Sequence, residues 1–221
     1  MLKGVFITGT DTGVGKTYVA TGIASALSSR GVDVGVMKPA ETGCRVRAGK
    51  LVPSDALSLM KAANVHDALS NVNPYRFRNP LAPLAAAELE GKKIEEDKIL
   101  SAWYTLSRRH EFMIVEGAGG IMVPLTEKYL YLDLAAALGL PVLIVARPGL
   151  GTINHTLLTI SVLQEKDIAL SGIVVNYAGS NKTGPAEKTS PAVIERISGV
   201  KIVGMVQHGS REFGSIASYL A

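Results

Sequence analysis

The first candidate for chemistry is the stretch GTDTGVGKT at residues 9–17, which follows a short apolar run and precedes an amphipathic one. Its glycines let the backbone approach an anion closely, and N–H groups at a helix N-terminus point at phosphate oxygens. Lys16 can neutralise charge on the β- and γ-phosphates, and the hydroxyl of Thr17 can bind Mg²⁺. The spacing predicts a nucleotide-phosphate loop in which five residues, one more than usual, separate Gly9 from Gly15.

Two other interpretations of this stretch fit less well. A dinucleotide-binding G-x-G-x-x-G turn needs a third glycine at an offset where the sequence has none. A plain turn between a strand and a helix explains the glycines but gives no reason for a Gly-Lys-Thr triplet. The phosphate loop is the favoured interpretation.

Three further residues suit phosphate chemistry. Glu116 comes at the end of the apolar run FMIVEG, where many phosphate-loop proteins place a carboxylate for Mg²⁺; a solvent-facing carboxylate is the alternative. Lys38 follows the second apolar run and would lie beside the phosphate loop in a parallel sheet, although a solvated lysine at a strand end fits equally well. Asp55 is either a metal ligand or a helix N-cap, and its position alone favours the cap.

The elements that must position these residues alternate between strand and helix. A helix is predicted after the phosphate loop, ending at Gly31, and another over 153–165. Nearly continuous apolar runs predict parallel strands that are covered on both faces. These strands span 4–8, 33–38, 112–117, 141–146, 170–176 and 201–206.

The pattern predicts an α/β fold of three layers, with a mostly parallel sheet between helices, as in phosphate-loop NTPases. Ligands of such sheets bind beyond the carboxyl ends of the strands. The longest interruption, 39–93, is too apolar for a disordered linker and is interpreted as a crossover with short helices. With no internal repeat, residues 1–221 are expected to form a single domain.

Composition narrows the class of protein. The chain has 221 residues, 47% of them hydrophobic, and its single cysteine, Cys44, excludes an intramolecular disulfide. A net charge of +4 and 5% aromatic residues give no support to nucleic-acid binding. Neither a secretory signal nor an apolar run of membrane-spanning length is present, so a cytoplasmic protein is expected, without a membrane or nucleic-acid partner.

Taken together, these motifs resemble those of the dethiobiotin synthetase family. That family has a phosphate loop of the form Gly-Thr-x-Thr-x-x-Gly-Lys-Thr, which residues 9–17 match including the extra residue. Further matches are KPAETG (38–43), VEGAGG (115–120), GLGTINHTLLT (149–159) and, as a minor one, NPY (73–75). The resemblance covers the chain to about residue 178.

The resemblance implies ATP- and Mg²⁺-dependent carboxylation and ring closure of 7,8-diaminononanoate with CO₂. Dethiobiotin, ADP and phosphate are the products, formed through a carbamate and a carbamic–phosphoric anhydride. Two lysines suit this reaction because an anionic carbamate must approach an anionic triphosphate.

The resemblance also implies site residues. The catalytic cations are Lys16 and Lys38, and the Mg²⁺ ligands are Thr17, Asp55 and Glu116. The nucleotide is bound by Gly13, Val14, Gly15, Lys16, Thr17, Tyr18, Asp55, Glu116, Gly117, Ala118, Gly119, Asn176, Tyr177, Gly204, Met205, Val206 and Gln207, with Asn176 at the adenine edge. The diamine is bound by Thr12, Lys38, Thr42, Gly151, Thr152 and Asn154. The last three contact its distant carboxylate from the neighbouring subunit of a homodimer.

Some residues depart from the family pattern or leave their role open. Gln207 stands where the family commonly has proline, which predicts looser nucleotide discrimination, and Gly13 replaces a frequent glutamate. Asn154 and His155 also fit an ordinary helix N-terminal pair, and for His155 this is favoured.

Two other functions share an ATP core of this kind. Cobyrinate a,c-diamide synthases add a glutaminase domain with a nucleophilic cysteine, for which the chain is too short. A partitioning-type switch ATPase normally has an extra lysine near the start of the phosphate loop, where this chain has Thr10-Asp11-Thr12. The synthetase is therefore preferred.

Overall fold

The computed structural model describes residues 3–179 and 184–221. Within these ranges the strands are β1 (Lys3–Gly9), β2 (Val34–Met37), β3 (Ala40–Glu41), β4 (Arg45–Arg47), β5 (Lys50–Val52), β6 (Tyr75–Arg76), β7 (Phe112–Gly120), β8 (Pro124–Thr126), β9 (Tyr129–Leu130), β10 (Val142–Ala146), β11 (Leu170–Asn176) and β12 (Ile202–Val206). The helices are α1 (Lys16–Ser28), α2 (Ser54–Ala63), α3 (Leu69–Val72), α4 (Pro83–Leu89), α5 (Glu96–Ser107), α6 (Tyr131–Leu138), α7 (Thr152–Glu165), α8 (Pro185–Ser198) and α9 (Gly214–Leu220).

Six of these strands form the central sheet, in the order β12-β11-β10-β1-β7-β2, and every neighbouring pair is parallel. All six are strands that the sequence predicts. The main difference in bounds is β7, which continues to Gly120, three residues beyond the predicted end at 117. The predicted α/β fold with a parallel sheet is confirmed.

The sheet is covered on both faces. Every residue of β2 and β10 is buried, as the continuous apolar runs require. Crossovers between parallel strands are almost always right-handed. With this strand order, α1 is therefore expected on one face and the helices α5, α6, α7 and α8 on the other. The buried apolar side chains form one continuous core.

The segment between β2 and α5 contains short helices, as predicted, and three short strands besides β3. Ala40 and Glu41 of β3 pair with Tyr75 and Arg76 of β6. This bridge fixes the start of the segment just beyond the carboxyl end of β2, where the candidate site lies.

The C-terminal segment packs on α1. The rings of Phe213 and Tyr18 meet edge to face with centroids 5.6 Å apart, and a side chain on Gly22 would collide with Phe213. Arg30 donates to the hydroxyl of Ser218. No helix in the described ranges is both long and apolar enough to cross a membrane.

Candidate active site

The phosphate loop connects β1 to α1, as predicted. Gly13 and Gly15 both have positive φ, 75° and 89°, a conformation that glycine adopts without strain. The helix begins at Lys16, with Gly15 at its N-cap and no side-chain cap. The first N–H groups of the helix are therefore left for a ligand.

Lys16 folds back over this loop. Its Nζ lies 3.3 Å from the carbonyl oxygen of Asp11, and the side chain is only 7% exposed. The loop thus places a cation where the phosphates of a nucleotide would bind, as a phosphate loop requires.

A cluster of charged and hydroxyl groups faces the loop. Oε1 of Glu116 accepts from Nζ of Lys38 at 2.6 Å and from Oγ1 of Thr17 at 2.7 Å. Nζ of Lys38 also donates to the carbonyl of Gly117 at 3.1 Å and lies 3.4 Å from Oδ2 of Asp55. Lys38 and Glu116 are both buried, so the alternatives of a solvated lysine and a solvent-facing carboxylate are wrong.

These groups line a pocket of about 310 Å³. The pocket is lined by Thr12, Gly13, Gly15, Lys16, Thr17, Lys38, Glu41, Thr42, Asp55, Glu116, Ala118 and Gly119. All but Glu41 belong to the predicted site, so the structure brings the predicted phosphate, metal and carbamate residues together.

The pKa values of the two lysines move in opposite directions. Burial, together with repulsion from Lys38, lowers the pKa of Lys16 to about 8. Burial also acts to lower the pKa of Lys38, but the carboxylates of Glu116 and Asp55 outweigh it and raise that pKa. Lys38 therefore stays charged, whereas Lys16 gains its full charge only below about pH 8.

The route by which Lys38 reaches the loop differs from the prediction. β2 does not neighbour β1, because β7 lies between them. The Lys38 side chain reaches over to β7, where Glu116, in the middle of the strand, accepts its hydrogen bond. Glu116 interacts electrostatically with both lysines.

Asp55 does not cap α2, so that prediction from its position is wrong. Pro53 occupies the N-cap and Asp55 is the second helical residue. The cap comes instead from Glu41, whose Oε1 accepts from the N–H of Asp55 and whose Oε2 accepts from that of Ala56, both at 3.0 Å. Glu41 lies twelve or more residues before α2, too distant for a local capping pattern to show it.

The minor match NPY also has a structural role near Lys38. Nδ2 of Asn73 donates to the carbonyls of Lys38, at 2.6 Å, and Tyr75, at 3.2 Å. The N–H of Lys38 in turn donates to Val72 at 2.7 Å. This fully buried asparagine fixes the backbone from which the Lys38 side chain extends.

The residues predicted to bind the nucleotide base lie at the ends of β11 and β12, outside the pocket described above. Nδ2 of Asn176, at the end of β11, donates to the carbonyl of Val14 at 2.8 Å. Its Oδ1 is buried and has no hydrogen-bond partner among the described residues. Tyr177, through its N–H, binds the carbonyl of Val206, which joins the ends of β11 and β12, and Gln207 follows β12 with an exposed side chain.

The residues predicted to bind the distant carboxylate lie at the N-terminus of α7. Gly151 is its N-cap, with φ 90°, and Thr152 its first residue. Asn154 is exposed in the first turn, so the predicted N-terminal position of Asn154 and His155 is confirmed. These residues are absent from the lining of the loop pocket.

Comparisons with known proteins agree with this site. A family model described as "AAA domain" matches residues 3–210. The ATP-dependent dethiobiotin synthetase BioD of Thermodesulfovibrio yellowstonii is 41% identical over 215 residues, which cover 94% of this chain and 90% of that protein. The protein of the same name from Bacillus licheniformis is 46% identical, with 92% and 85% covered.

Solved structures resemble the fold at much lower identity. A ParA family ATPase from Chlorobium tepidum has a TM-score of 0.55 and 15% identity, over 99% of this chain and 89% of that one. The cell division ATPase MinD of Pyrococcus furiosus has a TM-score of 0.53 and 19% identity, over 94% and 84%. At these identities the likeness shows only a shared phosphate-loop ATPase fold.

The two dethiobiotin synthetases are more than 40% identical to this chain over most of both sequences. The chain belongs to the ATP-dependent dethiobiotin synthetase family.

Proposed function

We propose that this chain carboxylates 7,8-diaminononanoate with CO₂ and closes the ureido ring, converting ATP to ADP and phosphate and releasing dethiobiotin. The observation that carries the proposal is the second buried lysine, Lys38, in the same pocket as Lys16. Lys38 extends from the end of β2, and not from the start of the phosphate loop, where a switch ATPase has its extra lysine. A cation at this place suits an anionic acceptor of the γ-phosphate.

In the proposed reaction, one amine of the substrate loses a proton and captures CO₂ as a carbamate. A carbamate oxygen attacks the γ-phosphorus, and ADP leaves. The second amine then attacks the carbonyl carbon of the mixed anhydride and expels phosphate. Thr12, Lys38 and Thr42 would hold the carbamate, while Lys16 and the N–H groups at the start of α1 hold the phosphates.

Mg²⁺ suits the donor set of this pocket. Thr17, Asp55 and Glu116 offer only oxygen atoms, which Mg²⁺ prefers. Oε2 of Glu116 is buried yet meets no hydrogen-bond partner within residues 3–179 and 184–221, which is costly unless a ligand engages it. Bound there, Mg²⁺ would neutralise charge on the β- and γ-phosphate oxygens.

The proposal includes a homodimer in which α7 of one subunit completes the substrate site of the other. Gly151, Thr152 and Asn154 would receive the distant carboxylate at the helix N-terminus, where anions are favoured. Two features support this. Oγ1 of Thr152 is buried without a partner in the part of the chain that the structure describes. The neighbouring Leu150 is 91% exposed.

The proposed activity is tested by phosphate release from Mg·ATP and bicarbonate, with and without 7,8-diaminononanoate, while labelled CO₂ is followed into acid-stable product. The expected result is diamine-dependent release with one label fixed per phosphate. Steady ATP hydrolysis that ignores the diamine would overturn the proposal and favour a switch ATPase.

The shared site is tested by mixing two inactive variants, Lys38→Ala and Asn154→Ala. If α7 serves the partner's pocket, mixed dimers contain one intact site and regain part of the activity. A mixture as inactive as its components would contradict the shared site but not the reaction.

A further inference from the structure

We infer that Glu41 is a positioning residue for the metal site: its carboxylate caps α2 and thereby holds Asp55 beside Lys38, in the pocket that Glu116 also lines. The inference rests on the proposed function, because it assumes that Asp55 is a ligand of Mg²⁺. Glu41 is not part of the phosphate loop and has no role of its own in the proposed reaction.

The helix that carries Asp55 depends on this contact. Its N-cap is Pro53, which has no side-chain acceptor for the free N–H groups of the first turn. Glu41 supplies both oxygens, one to the N–H of Asp55 and one to that of Ala56, and Oγ of Ser54 approaches Oε1 at 3.4 Å. A carboxylate at this end is also favoured by the helix dipole.

Glu41 is itself held rigidly. Its backbone pairs with Arg76 in the β3–β6 bridge, and its carbonyl accepts from the N–H of Phe77 at 2.9 Å. The side chain is only 3% exposed. Glu41 therefore connects a fixed strand to a helix end through two short bonds, and the helix end carries a side chain that is 38% exposed and lies 3.4 Å from Lys38.

Loss of the Glu41 cap should affect metal binding specifically. Lys16 and the loop N–H groups belong to α1 and the turn before it, and Nζ of Lys16 bonds to the carbonyl of Asp11 and not to α2. Loss of Glu41 should thus weaken the metal-dependent part of nucleotide binding and spare the rest. Removing a group that orients a metal ligand commonly costs about 10–100-fold in metal affinity.

The test compares the affinity of the full chain for AMP-PNP with Mn²⁺ and with EDTA, by calorimetry, in wild type and Glu41→Ala. We expect the ratio of the two affinities to fall about tenfold, with the affinity in EDTA unchanged. Asp133→Ala is the matched control. Asp133 accepts from the N–H of Leu130 at 2.9 Å and so caps α6, away from the pocket; its loss should leave the ratio unchanged.

A double-mutant cycle separates positioning from general destabilisation. If Glu41 acts through Asp55, Glu41→Ala should change the ratio little in an Asp55→Ala background. If Glu41→Ala does not fold, as judged by circular dichroism, Glu41→Gln takes its place. It keeps one acceptor oxygen and should lower the ratio less, in the same direction.

The inference is overturned if the folded variant keeps the wild-type ratio, if affinity falls equally in EDTA, or if the losses add in the cycle. None of these measurements involves the diamine. A wild-type chain that binds Mn·AMP-PNP but makes no dethiobiotin would overturn the proposed function alone.

Discussion

Nζ of Lys38 lies 2.6 Å from Oε1 of Glu116, and the two side chains are 4% and 1% exposed. The pair joins Lys38, the residue after β2, to the middle of β7, and Oε1 of Glu116 also accepts from Thr17 at the start of α1. Burial alone would lower the pKa of Lys38, but the carboxylates of Glu116 and Asp55 raise it, so the lysine stays charged. Lys38 thus keeps its positive charge in the pocket where we propose that the carbamate meets the γ-phosphate.

Replacing Lys38 with alanine should reduce turnover by about a hundredfold or more, since it removes a preorganised positive charge that would stabilise the transferring phosphoryl group. The rate of dethiobiotin formation at saturating ATP measures the effect. Lys93→Ala removes an exposed lysine that does not line the pocket and should have normal turnover. Near-normal turnover in Lys38→Ala would refute the role assigned to this lysine.

Nucleotide binding should weaken as the pH rises above 8. The pKa of Lys16 is lowered to about 8 by burial and by Lys38, and bound phosphates must raise it again. Below that pH the lysine is already charged; above it, binding must take up a proton, so affinity falls by at most about tenfold per pH unit.

The dissociation constant of ADP between pH 7 and 9 measures this dependence. Lys16→Ala should bind ADP weakly at every pH and lose the decline above pH 8. A wild-type affinity that is flat to pH 9 would show that Lys16 is not the titrating group.

The sequence predicts the strands and the pocket because each depends on local information. Apolar runs identify the six strands, and parallel pairing brings their carboxyl ends, with Lys38 and Glu116, to one edge of the sheet. The sequence does not predict that β7 lies between β1 and β2, since strand order depends on pairing between distant segments.

The residues that position Asp55 and Lys38 could not be found from the sequence in the same way. Asp55 fits a helix cap by position, but the actual cap, Glu41, comes from another element. Asn73 likewise acts on Lys38 from 35 residues away. Such contacts leave no periodicity or local spacing in the sequence, so only the folded chain reveals them.

Gly15→Ala should disrupt the phosphate loop. A Cβ there would collide with Nδ2 of Asn176, and φ of 89° adds strain of about 1–2 kcal/mol for an L-residue. We expect a lower melting temperature and a loss of ADP affinity, measured by thermal unfolding and calorimetry.

Gly199→Ala provides the matched control, because it shares the positive φ, 68°, while its Cβ would meet no described atom within 4 Å. It should lose a similar amount of stability from strain but keep its ADP affinity. Equal affinities in the two variants would mean that the contact between Gly15 and Asn176 does not shape the loop.

The chain should accept CTP as well as ATP and use GTP poorly. Val14 holds Nδ2 of Asn176 through its carbonyl, so the buried Oδ1, which has no partner in the described ranges, can only accept a hydrogen bond. The amino groups of adenine (N6) and cytosine (N4) can donate to such an acceptor, whereas guanine has a carbonyl oxygen, O6, at the position of the adenine amino group. A site that is built to bind one group rejects a base that lacks it.

The exposed Gln207, in place of the family's proline, leaves the shape of the base less restricted. Turnover with the three nucleotides, compared between wild type and Gln207→Pro, measures both effects: the variant should shift towards ATP while GTP stays poor in each. If wild type already strongly prefers ATP over CTP, Gln207 does not relax the selection of the base.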